Sequence, residues 1–315
     1  MSETFVFVGD VAVGDPLTHQ LVKAGFVAAD SLSSADVIIT YCQTLTDLED
    51  VYFDTEGVIQ SAKKGAYTLD LSAATPGFAR ELNAVATVSE IHAVEAPVIV
   101  KNIAHKDAFG DKDNLFCYVA GEESHYETVK PFLEVMVGSH EYLESVGSGQ
   151  LAKAMNTLQS VSLLVSLIEA DALYRAANLP NDKLQKVYEG NLVSSRARQL
   201  YEAIKVQSFS GSYTVQMCTA ELSAALMAAD DAELILPSAE AAMHLFELLV
   251  VIGGADMAPV TLSLIYGDEE NCAKHGLDWT RAEQAYSQDQ LGHYDDEDYD
   301  APDEYSNGFG SFSSN

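Results

Sequence analysis

The chain has 315 residues, 48% of them hydrophobic, and a formal net charge of -31 at pH 7. This length and apolar content are sufficient for two folded domains or one large one. The negative charge excludes nucleic acid as a partner, because phosphate contacts need clustered lysine and arginine side chains.

Residues 1 to 146 are predicted to form an α/β domain, because short apolar runs alternate there with helical patterns. Strands are predicted at 5–9, 36–41, 66–71, 91–95 and 115–119, and helices at 15–25, 47–62, 76–87 and 123–136. Strands as apolar as these are typical of a parallel sheet that helices cover on both faces.

Residues 147 to 292 are predicted to form an all-helical domain. A glycine-flanked turn at 147–149 begins a helix over 150–177 that is apolar almost all round, which indicates a central helix covered by others. Further helices are predicted near 181–189, 194–205, 213–232, 238–252 and 256–266. The apolar character of the long helix predicts that these helices interlock with a second subunit in a homodimer.

Residues 293 to 315 carry seven acidic side chains and no lysine or arginine, a composition that predicts a disordered acidic tail. The four cysteines and eight histidines show no ligand spacing, so we predict no metal site. We also expect no signal peptide and no membrane span, because the N-terminus begins a strand within four residues and the apolar run 245–252 is too short. A cytoplasmic location fits these features.

A polar stripe lies on the long helix. Helical spacing places Gln150, Lys153, Asn156, Thr157 and Ser160 on one face. Burial and the positive end of the helix dipole both disfavour the ammonium form of a lysine in the first turns. Lys153 is therefore a candidate for proton exchange near neutral pH.

Four segments together resemble the β-hydroxyacid dehydrogenases, the family of 3-hydroxyisobutyrate dehydrogenase within the 6-phosphogluconate dehydrogenase superfamily. The segments are Asp70–Pro76, Glu95–Val98, Gly147–Asn156 and Gly254–Asp256. The resemblance covers roughly residues 5 to 267. It implies a Rossmann-like domain, a helical domain and an NAD(P)-dependent oxidoreductase.

The resemblance also implies roles for individual residues. Lys153 would exchange a proton with the substrate hydroxyl while hydride passes to the nicotinamide of NAD or NADP, and Asn156 would help hold the substrate. The implied cofactor-binding residues are Gly9, Val11, Gly14, Ser72 and Asp256, and the implied substrate-binding residues are Pro97, Val98 and Gly149.

The cofactor end departs from the family pattern. A Rossmann fingerprint has glycine at three positions so that backbone approaches the pyrophosphate, and the middle position here is Val11. Asp10 and Asp15 add negative charge beside it. Only residues 31–35 separate a stub ending near Asp30 from the next strand, whereas a parallel crossover needs about a dozen residues. The prediction is a truncated Rossmann-like domain in which the second strand and its helix are missing.

The substrate end departs as well. Ile99-Val100-Lys101 stands where the family has Ser-Gly-Gly, and Ala220-Glu221-Leu222 stands where it has Lys-Asp-Leu. Arg196 and Arg198 are candidates for binding an anion beside the long helix, although ion pairs on a helix surface are the commoner role.

Two hypotheses therefore remain open. The chain is an NAD(P)-dependent oxidoreductase acting on a small hydroxy acid, aldehyde acid or imine, or it is a descendant without standard NAD(P) binding that serves as a small-ligand-binding or regulatory protein. The altered cofactor and substrate segments favour the second hypothesis, and the retained Lys153, Asn156, Ser72 and Asp256 favour the first.

Overall fold

The first part of the chain is built on one eight-stranded sheet. The computed structural model describes residues 4–177, 182–192 and 194–285. The strands are β1 (Thr4–Gly9), β2 (Val27–Ala28), β3 (Val37–Tyr41), β4 (Tyr67–Asp70), β5 (His92–Glu95), β6 (Val98–Val100), β7 (Leu115–Gly121) and β8 (Ser139–Tyr142). They lie in the order β2-β1-β3-β4-β5-β7-β6, with β8 beside β7.

The predicted parallel sheet is confirmed for its larger part. All pairs from β2 to β5 are parallel, and β8 is parallel to β7. The prediction was wrong for β7, which runs antiparallel to both β5 and β6. It also missed the short strands β6 and β8, which among the described strands pair only with β7.

The second strand is shortened rather than missing, which corrects the sequence prediction. β2 has two residues and pairs with β1 only at Thr4 and Phe5. The helix between β2 and β3, which the sequence predicts to be missing, is absent there, and one 3-10 turn, Leu32–Ser34, stands in its place. The backbone that follows β2 also stays beside Phe5, because the Ala29 N–H donates to Phe5 O. At 3.3 Å per residue, β2 therefore ends about 13 Å before Gly9, at the far end of β1.

Five helices cover the sheet: α1 (Val11–Ala24), α2 (Leu45–Phe53), α3 (Val58–Ser61), α4 (Pro76–Val88) and α5 (Glu123–Met136). Alternate residues of β3 face opposite sides, so Val37 and Ile39 join the main apolar cluster and Ile38 joins a second cluster under α2 and α4. α1 begins four residues earlier than predicted, because Asp10 caps it and Pro16 is accommodated inside it.

The second part of the described chain is helical. Its helices are α6 (Ser148–Ala176), α7 (Asp182–Asn191), α8 (Ser195–Lys205), α9 (Val215–Asp231), α10 (Pro237–Leu249) and α11 (Glu269–Lys274), with a π-helical turn at Val250–Gly254 and a 3-10 helix at Pro259–Tyr266. The main apolar cluster runs from the sheet into these helices without a break. The predicted acidic tail lies outside the described residues.

α6 is the central helix, as predicted. Leu164 and Ile168 are fully buried, whereas Leu151, Met155 and Leu173 are more than half exposed. By length and composition, α6 could cross a bilayer. The bent pair Pro237–Gly254 and Pro259–Tyr266 could also do so if the two helices form one span. Core helices of helical domains have the same composition, so these segments do not by themselves place the chain in a membrane.

Candidate active site

Lys153 lies in the second turn of α6 and is 4% exposed. Its Nζ donates to Val98 O at 2.9 Å, which ties α6 to the start of β6. A second contact joins Nζ to Glu221 Oε1 at 2.7 Å. An ammonium group has three donors, so one remains for the cavity that Lys153 lines.

Glu221 is the main functional candidate that sequence reasoning missed. It comes from α9, is 8% exposed, and accepts a hydrogen bond from Tyr213 Oη at 2.8 Å and one from Thr157 Oγ1 at 3.4 Å. In the sequence it stands out only as part of Ala220-Glu221-Leu222, the segment that replaces the family's Lys-Asp-Leu. The structure instead makes it the carboxylate that holds the Lys153 side chain in place.

The cavity beside Lys153 is small and is lined by both polar and apolar side chains. Its volume is about 20 Å³, enough for about one water molecule. Asn156 and Arg196 line it, and Asn156 Oδ1 accepts from Ser160 Oγ at 3.3 Å. The Asn156 amide N–H₂ has no acceptor among the described residues, so it is available to a ligand.

The three residues predicted to bind substrate lie where the start of α6 meets the sheet. Val98 supplies the carbonyl that binds Lys153, and the buried Pro97 precedes it. Gly149 allows α6 to approach closely, because a Cβ there would lie 3.0 Å from Tyr118 O. These residues position Lys153, and their contact with substrate stays a prediction.

The start of α6 is held by Glu95 and Gln150. Glu95 at the end of β5 accepts from the Gly147 N–H and, at 3.1 Å, from the Gln150 N–H. The Gln150 side chain accepts from Ala74 N at 2.8 Å and donates to Ser72 O at 3.0 Å. By accepting from these backbone N–H groups, Glu95 caps α6 from the sheet.

This cap predicts a pH-dependent stability. Burial raises the pKa of Glu95 from 4.5 to about 7, against the lowering effect of its backbone hydrogen bonds. The folded protein therefore holds the proton more tightly than the unfolded chain. The contribution of Glu95 to the free energy of unfolding is therefore fully present below pH 4.5, and about 3 kcal/mol of it is lost as the pH rises through 7.

Urea unfolding of the wild type and Glu95→Gln between pH 4.5 and 8 measures this effect. The glutamine keeps an acceptor for the backbone N–H groups but does not titrate. Self-repulsion of the acidic surface and the titration of Asp70, whose pKa burial raises to about 6, are common to both proteins. If the free energy of unfolding changes with pH equally in both proteins, Glu95 is not the source of the pH dependence.

The predicted cofactor residues are spread over two places. Ser72 is fully buried, and its Oγ accepts from Cys42 N at 2.9 Å, so it joins the ends of β3 and β4. Asp256 is exposed in a turn whose flanking carbonyls, Ala255 O and Met257 O, accept from the first residues of α9. Their cofactor contacts stay predictions.

Gly9, Val11 and Gly14 lie where β1 meets α1, at the carboxyl edge of the parallel strands. This edge is where doubly wound folds bind dinucleotides. Gly9 has φ 118°, and a Cβ there would lie 2.0 Å from Tyr41 O, so only glycine fits. A Cβ at Gly14 would lie 2.4 Å from the Phe7 ring, and Val11 is 71% exposed beside them.

The residues at the junction of β1 and α1 are well placed for a dinucleotide, but the negative charge of Asp10 opposes its pyrophosphate. Asp10 Oδ1 accepts from Ala12 N at 2.8 Å, and Gln43 Nε2 donates to the other Asp10 oxygen. A pyrophosphate at the α1 N-terminus would have to displace this carboxylate. The short β2 ends far from this edge and supplies no ribose contact there.

Replacing Asp10 by glycine should therefore tighten NADH binding by about tenfold, because the change frees the Ala12 N–H and removes a negative charge. Glycine is a tolerated N-cap, so the cost to α1 is small. Fluorescence titration with NADH measures the change. Asp15→Asn, which removes a nearby exposed charge that does not cap the helix, should give a smaller gain. Unchanged or weaker binding in Asp10→Gly would contradict this picture of the cofactor end.

Comparison with known proteins gives consistent matches. Residues 10–146 match the model of the NAD binding domain of 6-phosphogluconate dehydrogenase. An uncharacterized oxidoreductase of Bacillus subtilis is 28% identical over 228 residues, 71% of this chain and 76% of that protein. An NAD-dependent L-serine dehydrogenase of Pseudomonas aeruginosa is 24% identical over 282 residues, 79% of this chain and 93% of that protein.

The fold also matches a solved structure, 3-hydroxyisobutyrate dehydrogenase of Mycobacterium tuberculosis with L-serine. The TM-score is 0.71 at 22% identity, over 85% of this chain and all of that chain. The chain thus has a sheet domain that an NAD-binding domain model matches, followed by a helical part with a buried lysine near its start. In its matched domain and in these relatives, the chain is similar to the β-hydroxyacid dehydrogenase family. The matched NAD-binding domain identifies NAD or NADP as its cofactor.

Across residues 4–177, 182–192 and 194–285, no cluster of three or more histidine, cysteine or acidic side chains is arranged to hold a metal ion.

Proposed function

We propose that the chain is an NAD(P)-dependent oxidoreductase that interconverts a hydroxyl group with a carbonyl group, or an amine with an imine, on a small acid or imine. The single observation that supports this most is Lys153, buried at a cavity with a donor left for a ligand. A lysine held in this way is suited to proton exchange with a substrate hydroxyl.

The roles of the chain's own residues follow from their contacts. Bound NAD(P) supplies the hydride donor or acceptor. Lys153 Nζ gives a proton to, or takes it from, the substrate oxygen. Glu221 and Val98 O fix the direction of the Lys153 side chain from two sides, at 2.7 and 2.9 Å. Asn156 donates its free amide N–H₂ to the substrate, and the buried walls of the cavity exclude water.

Turnover assays test this proposal. Pure protein is incubated with NADH or NADPH and a series of two- to four-carbon aldehyde acids and cyclic imines, and with NAD or NADP and the matching hydroxy acids. We expect a change in absorbance of the nicotinamide with at least one substrate. No turnover with either cofactor in either direction would contradict it.

A second candidate function is a family member that binds a small ligand without standard dinucleotide binding. The Asp10 carboxylate on the α1 N-terminus and the early end of β2 favour it. Binding of small acids without measurable binding of NADH or NADPH would select this function.

For partners and location we propose a cytoplasmic homodimer assembled through the helices. Leu173 on α6 is 72% exposed, and an apolar cavity of about 300 Å³ lies beside it between α6, α7 and α8. Exposed apolar surface of this kind is typical of subunit contacts. The four cysteines are all free and buried, which fits a reducing compartment. Light scattering should give twice the 34.0 kDa of one chain, and a monomer would contradict the dimer.

A further inference from the structure

The cavity beside Lys153 is lined by one cation that forms no ion pair with any described side chain. Three charged residues line it, and two of them, Lys153 and Glu221, pair with each other at 2.7 Å. The third, Arg196, makes no hydrogen bond or ion pair with the residues that the structure describes. Burial lowers the pKa of its guanidinium, and the nearby Tyr213 and Glu221 oppose this effect only in part.

Arg196 reaches the cavity from the first turn of α8, which Ser194 caps. Its neighbour Arg198 does not share this position, because its Nε donates to Leu192 O at 2.7 Å on the outer side of the helix. The two arginines were equivalent candidates in the sequence. Their different surroundings separate them in the structure.

The alternative anion-binding groups at this end of the sheet are unavailable. Ile99 and Val100 lie in β6, where successive backbone N–H groups point to opposite sides and cannot converge on one anion. Lys101 is turned outward, with its Nζ on Asp113 O at 2.9 Å. Among the described residues that line the cavity, Arg196 is the unpaired cation.

We propose that Arg196 recognises the carboxylate of a small monoanionic substrate, a role that rests on the proposed function of the same site. The planar guanidinium binds a carboxylate through two parallel hydrogen bonds. With the carboxylate on Arg196, the hydroxyl or carbonyl carbon of a short acid lies toward Lys153 and Asn156. The net charge of the lining groups is then zero.

The size of the cavity limits the ligand. About 20 Å³ is too little for a carboxylic acid, so side chains of the wall move as the ligand enters. Acids of two to four carbons require the least movement. The site therefore favours short monocarboxylates over larger or doubly charged acids.

Calorimetric titration of the full chain without cofactor tests this role. The probes are acetate, glycolate and 3-hydroxypropionate, each beside its neutral amide. We expect at least one acid to bind about tenfold to a hundredfold more tightly than its amide. Arg196→Gln should reduce the affinity for that acid to the level of the amide, and Arg196→Lys should fall between. Arg198→Gln is the matched control and should bind as the wild type does.

Three results would overturn the role of Arg196: none of the acids binds the wild type, acid and amide bind equally, or Arg196→Gln keeps the wild-type affinity. Circular dichroism of each variant verifies the fold, and the rise in Tm that the acid causes gives a second readout. A separate titration with NADH and NADPH distinguishes the two proposals. Failure of cofactor binding with Arg196-dependent acid binding overturns only the oxidoreductase, and the reverse pattern overturns only Arg196.

Discussion

Lys153→Ala is expected to lower kcat by about 10²- to 10⁴-fold while the affinity for NADH or NADPH stays nearly unchanged. The reason is that Lys153 is the described group that combines a titratable amine, burial and a position on the cavity. Steady-state kinetics with the best substrate of the series measures kcat, and fluorescence titration measures the affinity.

Two controls make this result specific. Lys64→Ala removes a surface lysine that pairs with Glu90 and is 76% exposed, and it should leave kcat unchanged. Lys153→Met with Glu221→Gln removes both charges of the buried pair, so it should be as inactive as Lys153→Ala although better folded. Activity near the wild-type level in Lys153→Ala would remove Lys153 from the mechanism.

Glu221→Ala is expected to lower the free energy of unfolding by about 3–5 kcal/mol, because it leaves the Lys153 ammonium buried without its counter-ion. Tyr213 Oη loses its acceptor at the same time. Glu221→Gln keeps an acceptor for Tyr213 and should cost less. Urea unfolding measures the three proteins side by side.

The double variant Lys153→Met with Glu221→Gln provides the internal test of this pair. If the ion pair is the cause, the double variant should recover most of the stability that Glu221→Ala loses. Glu240→Ala, an exposed position on α10, should change stability by less than about 0.5 kcal/mol. Equal unfolding curves for Glu221→Ala and the wild type would show that the pair does not contribute.

Features that depend on local sequence were predicted well. The parallel strands β1, β3, β4 and β5 follow from apolar runs between helices, and α6 follows from a glycine turn before a long apolar pattern. The shared face of Lys153 and Asn156 follows from helical periodicity, and both line one cavity. The family resemblance also depended on contiguous segments, and the comparisons confirm it.

Features that depend on contacts between distant segments were not predictable in this way. Glu221 is 68 residues from Lys153 in the chain and comes from α9, so no local pattern identifies it as the partner. Arg196 and Arg198 are two residues apart on the same helix, and only the packing of α8 shows that Arg196 is the one that faces the cavity. The two-residue β2 is defined by its pairing with β1 rather than by its own composition.

The N-terminal cap on α1 is recognisable in the sequence. Asp10 is a favourable N-cap residue directly after an apolar strand, which is a recognisable helix start. The proline at position 16 drew the predicted start to Asp15 instead. In the sequence, Asp10 is a negative charge beside the expected phosphate site; in the structure its carboxylate also occupies the Ala12 N–H that the cofactor would use.

Direct titration with NADH and NADPH, followed by fluorescence, is the measurement that tests the central claim most directly. An oxidoreductase of this family must bind one of them saturably with one site per chain, and Asp10→Gly must bind it more tightly. The absence of saturable binding of both cofactors up to millimolar concentration, in the wild type and in Asp10→Gly, would contradict the claim and leave the chain as a binding protein built on the dehydrogenase fold.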